Sequence, residues 1–249
     1  MKKTFLFYDL ETSGLNKAFD QIIQFAAIRT DMDFNEISRH EIMIKPSIDV
    51  IPSPYAAITH QTDISDWQKG EDELTAIEKI HKWFNTPGTI SIGYNTLGFD
   101  DEFLRFNFYK NLLPPYTHQF ANACQRVDLY PIAALYSLFK ADVLKWPIDE
   151  ETQERNLKLE NISQLNKLAS GQAHTAIVDV EATVALAKCF AKEKAMWDYC
   201  LGYFDKTTDS TRMHSLNDKP AGGPIGILVE GILGKKNRFH APALYLGTH

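Results

Sequence analysis

The 249-residue sequence has only three cysteines, Cys124, Cys189 and Cys200, odd in number and widely spaced. They form no C-x-x-C pair and no zinc spacing. This excludes a disulfide framework and a thiolate metal centre, and leaves them as buried apolar fillers in a reducing compartment. Long apolar runs are missing too. None approaches the roughly 20 residues of a membrane span, and Met1-Lys2-Lys3 enters a short strand rather than the core of a signal peptide. A cytoplasmic protein without membrane contact is expected. Positive charge is also scarce, with 26 Lys and Arg against 32 Asp and Glu for a formal net charge of -6. That balance opposes broad attraction to duplex nucleic acid. The charge is uneven, however. Residues 212–249 hold five Lys or Arg and two acidic residues, a net of +3, which leaves -9 for the rest. An acidic chain can still take a nucleic-acid substrate if binding is local. No internal repeat is visible.

What is present is an ordinary globular composition, 44% hydrophobic and 23% charged, in a length that suits one large domain or one domain with a small appendage. The organising stretch is FLFYDLETSG, residues 5–14. Phe5 to Tyr8 read as a buried strand that ends in Asp9-Leu10-Glu11 and the turn residues Thr12, Ser13 and Gly14. Strand side chains alternate, so Asp9 and Glu11 share a face while Leu10 points into the core. Two neighbouring, partly desolvated carboxylates repel, and a hard divalent cation resolves the conflict. Read alone, Asp9 also suits a turn or cap and Glu11 a solvated position.

Further along, Ile22–Thr30 and Glu36–Lys45 read as a hairpin joined by polar residues 31–35. A short helix is expected at Tyr55–His60. A longer one at Glu71–Phe84 carries Leu74, Ile77, Ile80, His81 and Phe84 on its apolar stripe and stops at Pro87-Gly88. Thr89–Tyr94 gives a strand, Phe99–Tyr109 a helix whose acidic Asp101 and Glu102 suit its first turn, and Gln125–Leu129 a short strand. Helices follow at Tyr130–Phe139, Leu159–Leu168 and Thr175–Phe190, around an irregular charged stretch between Lys140 and Asn156. Pro220–Pro224 is the best linker candidate, followed by strands at Ile225–Ile232 and Ala243–Leu246. Strands alternating with helices after a hairpin predict an α/β sheet covered on both faces, with its site at strand ends.

The acidic residues at such points are Asp9, Glu11, Asp100 and Asp179, with His174 just ahead of the last. In chain order YDLET, NTLGFD and HTAIVD resemble the three motifs of the DEDD exonucleases, in the branch whose last motif reads H-x-x-x-x-D. The longer strings FAAIRTD, GYNTLGFDDEFLRFNFYKNLLPPY, RVDLY and LENISQLNK resemble the bacterial exonuclease I branch, from about Thr4 to the last residue. The resemblance implies a ribonuclease H-like mixed sheet flanked by helices, forming an exonuclease domain over residues 1–211. Residues 212–249 would be a linker and a short β extension like the start of an SH3-like domain, at which the chain stops as a fragment or truncated product would.

The implied activity is removal of nucleoside 5′-monophosphates from the 3′ end of single-stranded DNA, in DNA repair and recombination. Two Mg²⁺ ions, replaceable by Mn²⁺, would be held by Asp9, Glu11, Asp100 and Asp179, with His174 as general base. Substrate contacts would come from Glu11, Thr12, Arg105, Tyr116, Phe120 and Lys158, and His118 belongs to the same aromatic stretch. The partners implied are single-stranded DNA and a single-stranded-DNA-binding protein, for a monomeric enzyme. The chemistry agrees with this, since four carboxylates suit octahedral Mg²⁺ or Mn²⁺, and the absence of clustered Cys and His opposes zinc. A proofreading or RNA-trimming relative, or a non-catalytic binding fragment, are the alternatives.

Overall fold

The structure, a computed structural model, describes residues 2–60, 64–170, 175–215 and 225–244. The chain divides into two compact units, one of residues 1–128 with 168–186, the other of residues 129–167 with 187–249.

The first unit is built on strands β1 (Thr4–Thr12), β2 (Ile22–Thr30) and β3 (Glu36–Met43). Helices α1 (Pro54–His60), α2 (Ile64–Trp67) and α3 (Glu73–Phe84) follow, then β4 (Thr89–Gly93), α4 (Asp100–Lys110) and β5 (Gln125–Asp128). The sheet order is β3-β2-β1-β4-β5. The hairpin strands run antiparallel, whereas β4 pairs in parallel with both β1 and β5. This is the mixed sheet that was expected. Every residue of β4 is buried, as a central strand covered on both faces requires.

Alternation along β1 sorts its side chains onto two faces. Leu6, Tyr8 and Leu10 join Phe25, Ala27 and Ile42 against Ile77, Ile80 and Phe84 of α3 and Phe103, Leu104 and Phe108 of α4. Phe5 and Phe7 lie on the opposite face against Phe34, with ring centroids 5.3 and 6.2 Å away. Phe34 takes a left-handed φ of 63° in a turn where the Asp31 carboxylate accepts from the Asp33 and Asn35 amides. Asp9 and Glu11 are in step with Phe5 and Phe7, and so share that second face. Leu74 departs from its expected place. Asp72 caps α3 by accepting from the Thr75 amide at 3.3 Å, which puts Leu74 in the first turn, 48% exposed, while Ala76 fills the buried position.

Helix α7 (Ala176–Ala191) begins in this unit, where its Glu181 carboxylate meets the Arg39 guanidinium of β3 at 2.5 Å.

The second unit holds α5 (Leu129–Phe139), α6 (Leu159–Asn166) and the end of α7. Helices α8 (Lys194–Leu201) and α9 (Lys206–Ser215) come next, then the antiparallel pair β6 (Ile225–Val229) and β7 (His240–Leu244). Tyr136 stacks on Phe190 at 4.2 Å and donates to its carbonyl at 2.7 Å. Helix α9, KTTDSTRMHS, escapes a periodicity reading because it has no apolar stripe. Of the expected linker, Pro220–Pro224 lies outside the described residues, as do Tyr245 and Leu246. All three cysteines are free, and Cys124 and Cys200 are buried. Among the described residues no helix is long and apolar enough to cross a membrane.

Candidate active site

The acidic cluster stands where β1 ends. Its register against β2 shifts between Glu11, opposite Gln24, and Thr12, opposite Ile22, a bulge of the kind that re-aims side chains beside active sites. The loop that follows is pinned by Asp20, whose carboxylate accepts from the Ser13 hydroxyl at 3.0 Å and the Asn16 amide at 2.8 Å. A Cβ on Gly14 would meet Asp20 Oδ2 at 2.5 Å, so a larger residue there would have to displace the carboxylate that pins the loop.

Asp9, Glu11 and Asp179 each offer a carboxylate oxygen, and these lie within 4.8 Å of one another. Asp179 sits in the first turn of α7, where the helix dipole favours negative charge. Asp9 keeps a little surface, yet burial pushes its carboxyl well above the usual range, and the charges of Asp100, Glu11 and Asp179 push it further. Asp100, on the first turn of α4, is 7% exposed. Burial again raises it most, with Asp101, Asp128 and Glu11 adding repulsion. Asp100 stands outside the three-oxygen set but within its field. A divalent cation between these oxygens would relieve the repulsion, and an all-oxygen donor set matches Mg²⁺ or Mn²⁺ rather than a softer metal. The residues therefore fit the ions implied by the sequence motifs. His174 lies outside the described residues.

Three residues beside the acids were not foreseen as parts of the site. Asp128, at the end of β5, is 3% exposed. Its carboxylate accepts from the amides of Asn95 at 2.8 Å and Leu97 at 3.2 Å, which shapes the loop that delivers Asp100. Where β4 enters that loop a Cβ on Gly93 would lie 2.1 Å from Thr96 Cγ2, so a larger residue would have to displace the buried Thr96 side chain. Asp101, expected to cap its helix or meet solvent, is instead 1% exposed. It accepts from the Tyr8 hydroxyl at 3.0 Å and pairs with the Arg126 guanidinium. Burial raises its carboxyl and Arg126 opposes that rise. The reason is sheet order: α4 packs on the face bearing Tyr8, so the acid next to Asp100 turns inward. The third residue is His60, the last of α1. Its Nδ1 approaches Glu11 Oε2 at 2.5 Å and its Nε2 lies 3.0 Å from the Thr12 carbonyl. Burial lowers its pKa, but the adjoining Glu11 carboxylate outweighs burial and leaves it raised.

The expected substrate contacts are spread out. Thr12 is buried, and its hydroxyl donates to the Gly14 carbonyl at 2.8 Å. Arg105 pairs with Glu102 and stacks over Tyr116, 4.3 Å from the ring centroid. Tyr116 and Phe120 are 47% and 70% exposed, as surface platforms must be. His118 is not such a platform. It is 1% exposed, wedged edge-on between Phe84 and Phe108 at 5.7 and 5.4 Å, because the short turn at Thr117–Gln119 folds it inward. Lys158 is exposed at the N-cap of α6, in the second unit.

A family model described as Exonuclease (RNase_T) matches residues 6–187. The exodeoxyribonuclease I of Escherichia coli (strain K12) is 34% identical over 236 residues, which is 94% of this chain and 48% of that protein. A crystal structure of E. coli exonuclease I in complex with a dA16 oligonucleotide superposes with a TM-score of 0.89 at 31% identity, covering 97% of this chain and 51% of that one. An SSB/exonuclease I structure in complex with the inhibitor CFAM gives 0.86 at 30% identity, over 97% and 52%. The chain thus spans about half the length of the relatives it matches. From the motifs at Asp9, Asp100 and Asp179 to a family match covering most of its length, the chain belongs to the exonuclease family.

Proposed function

We propose that this chain is a 3′-5′ exodeoxyribonuclease that degrades single-stranded DNA to nucleoside 5′-monophosphates in the cytoplasm, in DNA repair and recombination. The observation that carries the reading is the convergence of Asp9, Glu11 and Asp179 oxygens within 4.8 Å, in a family of exonucleases. Asp9 would serve both of two Mg²⁺ sites, Glu11 and Asp179 the nucleophile side, and Asp100 the leaving-group side, with Mn²⁺ able to replace Mg²⁺. When bound, the two cations supply a nucleophile at neutral pH and charge stabilisation for in-line displacement at phosphorus. His174 takes the proton of the attacking water as the new P–O bond forms and the bond to the 3′ oxygen of the penultimate sugar breaks.

Tyr116 and Phe120 offer exposed rings for stacking bases, Arg105 would supply a cation beside them, and Thr12 and Lys158 would add further contacts of their own, a division of labour suited to binding without sequence preference. The SSB/exonuclease I structure among the matches supports a single-stranded-DNA-binding protein as partner, and the enzyme would act as a monomer. Residues 1–211 would form the nuclease domain and residues 212–249 the linker and β extension.

The deciding experiment incubates 5′-labelled and 3′-labelled single-stranded oligonucleotides with the protein, with Mg²⁺ or with EDTA. Expected are immediate release of the 3′ label as a mononucleotide, stepwise shortening of the 5′-labelled strand, and no reaction in EDTA. Release from the 5′ end, or cleavage that survives EDTA, would overturn the proposal.

A further inference from the structure

Helix α1 is only seven residues long, so its place depends on its anchors. The Ser53 amide ahead of it donates to the Ser13 carbonyl at 2.7 Å, which ties the helix start to the exit of β1. At the other end His60 is 9% exposed; its Nε2 lies 3.0 Å from the Thr12 carbonyl, and its Nδ1 lies 2.5 Å from the Glu11 carboxylate, an ion-pair contact that is not aligned as a hydrogen bond. Trp67 flanks the ring, 6.4 Å between centroids. The bulge between Glu11 and Thr12 interrupts the ladder there and lets one ring face both a side chain and the next carbonyl.

We infer that His60 is a positioning residue for the metal site: its ring, oriented by the Thr12 carbonyl, holds one oxygen of Glu11 so that the carboxylate meets a divalent cation already turned toward Asp9 and Asp179. This rests on the two-metal reading above and adds a residue that none of the three sequence motifs contains. A glutamate side chain rotates about three bonds, and that freedom must be given up when it ligates. His60 restricts it beforehand. Glu11 has about four acceptor sites on its two oxygens, so the contact at Oε2 leaves capacity for an ion. Partners of this kind fix the orientation of ligating groups, and their loss typically weakens metal binding by about 10–100-fold.

The competing role is a structural clasp, in which the ring merely fastens α1 to the Thr12 carbonyl. Two substitutions separate these roles, because an asparagine amide nitrogen is attached at Cγ like Nδ1, whereas a glutamine amide nitrogen is attached one carbon further, like Nε2. His60→Asn keeps a donor toward Glu11, and His60→Gln keeps one toward Thr12.

Affinity for Mn²⁺ alone, without nucleic acid, is read from the electron paramagnetic resonance of the free ion, with melting in EDTA recorded in parallel. His60→Gln and His60→Leu should bind Mn²⁺ about 10–100-fold more weakly than wild type, and His60→Asn within a few-fold of it. Equal affinities in all four proteins, or a loss in His60→Asn as large as in His60→Gln, would overturn the assignment. Should His60→Asn fail to fold, His60→Leu in a Glu11→Gln background decides. It should add no further loss there, and an undiminished effect would count against the inference. Absence of Mn²⁺ binding by wild type, or binding unchanged in Asp9→Asn, would overturn the two-metal reading itself. Binding lost in Asp9→Asn but indifferent to His60 would overturn only the role of His60.

Discussion

Replacing Asp9 by asparagine should stabilise the metal-free protein while removing its response to metal. Oxygens of Asp9, Glu11 and Asp179 lie no more than 4.8 Å apart. At an effective dielectric of about 20, a like-charged pair at that separation repels by about 3.5 kcal/mol. Asp9→Asn deletes two such repulsions and that of Asp100. The raised pKa of Asp9 means that partial protonation already relieves some of the strain, so a net gain of about 1–3 kcal/mol is the reasonable scale. For a chain of this size that corresponds to about 3–10 °C in Tm. The pH dependence has a definite sign. A carboxyl whose folded pKa is raised contributes stability below its unfolded value of about 3.9 that is lost as pH rises through the folded value. In EDTA the two proteins should therefore melt alike near pH 4 and diverge toward pH 8, the variant higher. Added Mg²⁺ or Mn²⁺ should raise wild type by about 2.7 kcal/mol at one hundred times its dissociation constant, and the variant by much less. Scanning calorimetry in both conditions is the assay. A variant that melts below wild type in EDTA at pH 8, or gains as much from metal, would refute the reasoning.

Adjacent acids on α4 should behave oppositely: Asp100→Ala abolishes turnover, whereas Asp101→Ala strands the buried Tyr8 hydroxyl and costs about 1–3 kcal/mol in urea unfolding with a smaller effect on turnover. The reverse ranking would place the wrong acid at the metals. Asp128→Ala removes the acceptor shared by the Asn95 and Leu97 amides, so these amides should exchange faster and kcat fall by up to about 100-fold as Asp100 loses its placement; unchanged exchange would count against that role. His118 has a pKa lowered to about 3, chiefly by burial and then by His81, Arg126 and Arg105, and neither ring nitrogen has a hydrogen-bond partner among the described residues. Its neutral form stabilises fully above the unfolded value of about 6.5, and this contribution is lost as pH falls toward 3, of the order of 4 kcal/mol. His118→Phe should flatten the acid limb of a stability-against-pH curve, and an unaltered limb would show that other groups dominate it.

The parts of the site visible in the sequence were those that local geometry dictates. Strand alternation alone puts Asp9 and Glu11 on one face, and the first turn of a helix is a natural place for Asp100 and Asp179. Local geometry also says that Asp100 and Asp101 point apart, but not where the second one goes. That depends on β4 lying between β1 and β5 and on Arg126 arriving from β5, which no periodicity encodes. His60 and Asp128 were missed for the same reason, since their partners are brought to them by chain crossings. His118 was misplaced because a run of aromatics around prolines reads alike for a stacking surface and for a turn folded into the core. Of the terminal strand pair the first was legible from its apolar run, whereas β7 begins at His240, three residues ahead of the expected Ala243, and α9 left no hydrophobic trace.

Asp9 and Glu11 come from the first strand of the sheet and Asp179 from a helix that starts at Ala176. An ion held by all three would be a reversible staple between segments at opposite ends of one folding unit. Without it, mutual repulsion pries at the first turn of α7, so that turn should open locally more often than the sheet beneath it. Amide protons from Val180 to Thr183 should then report metal concentration through their exchange rates, while those in the β1–β2 ladder report only global unfolding.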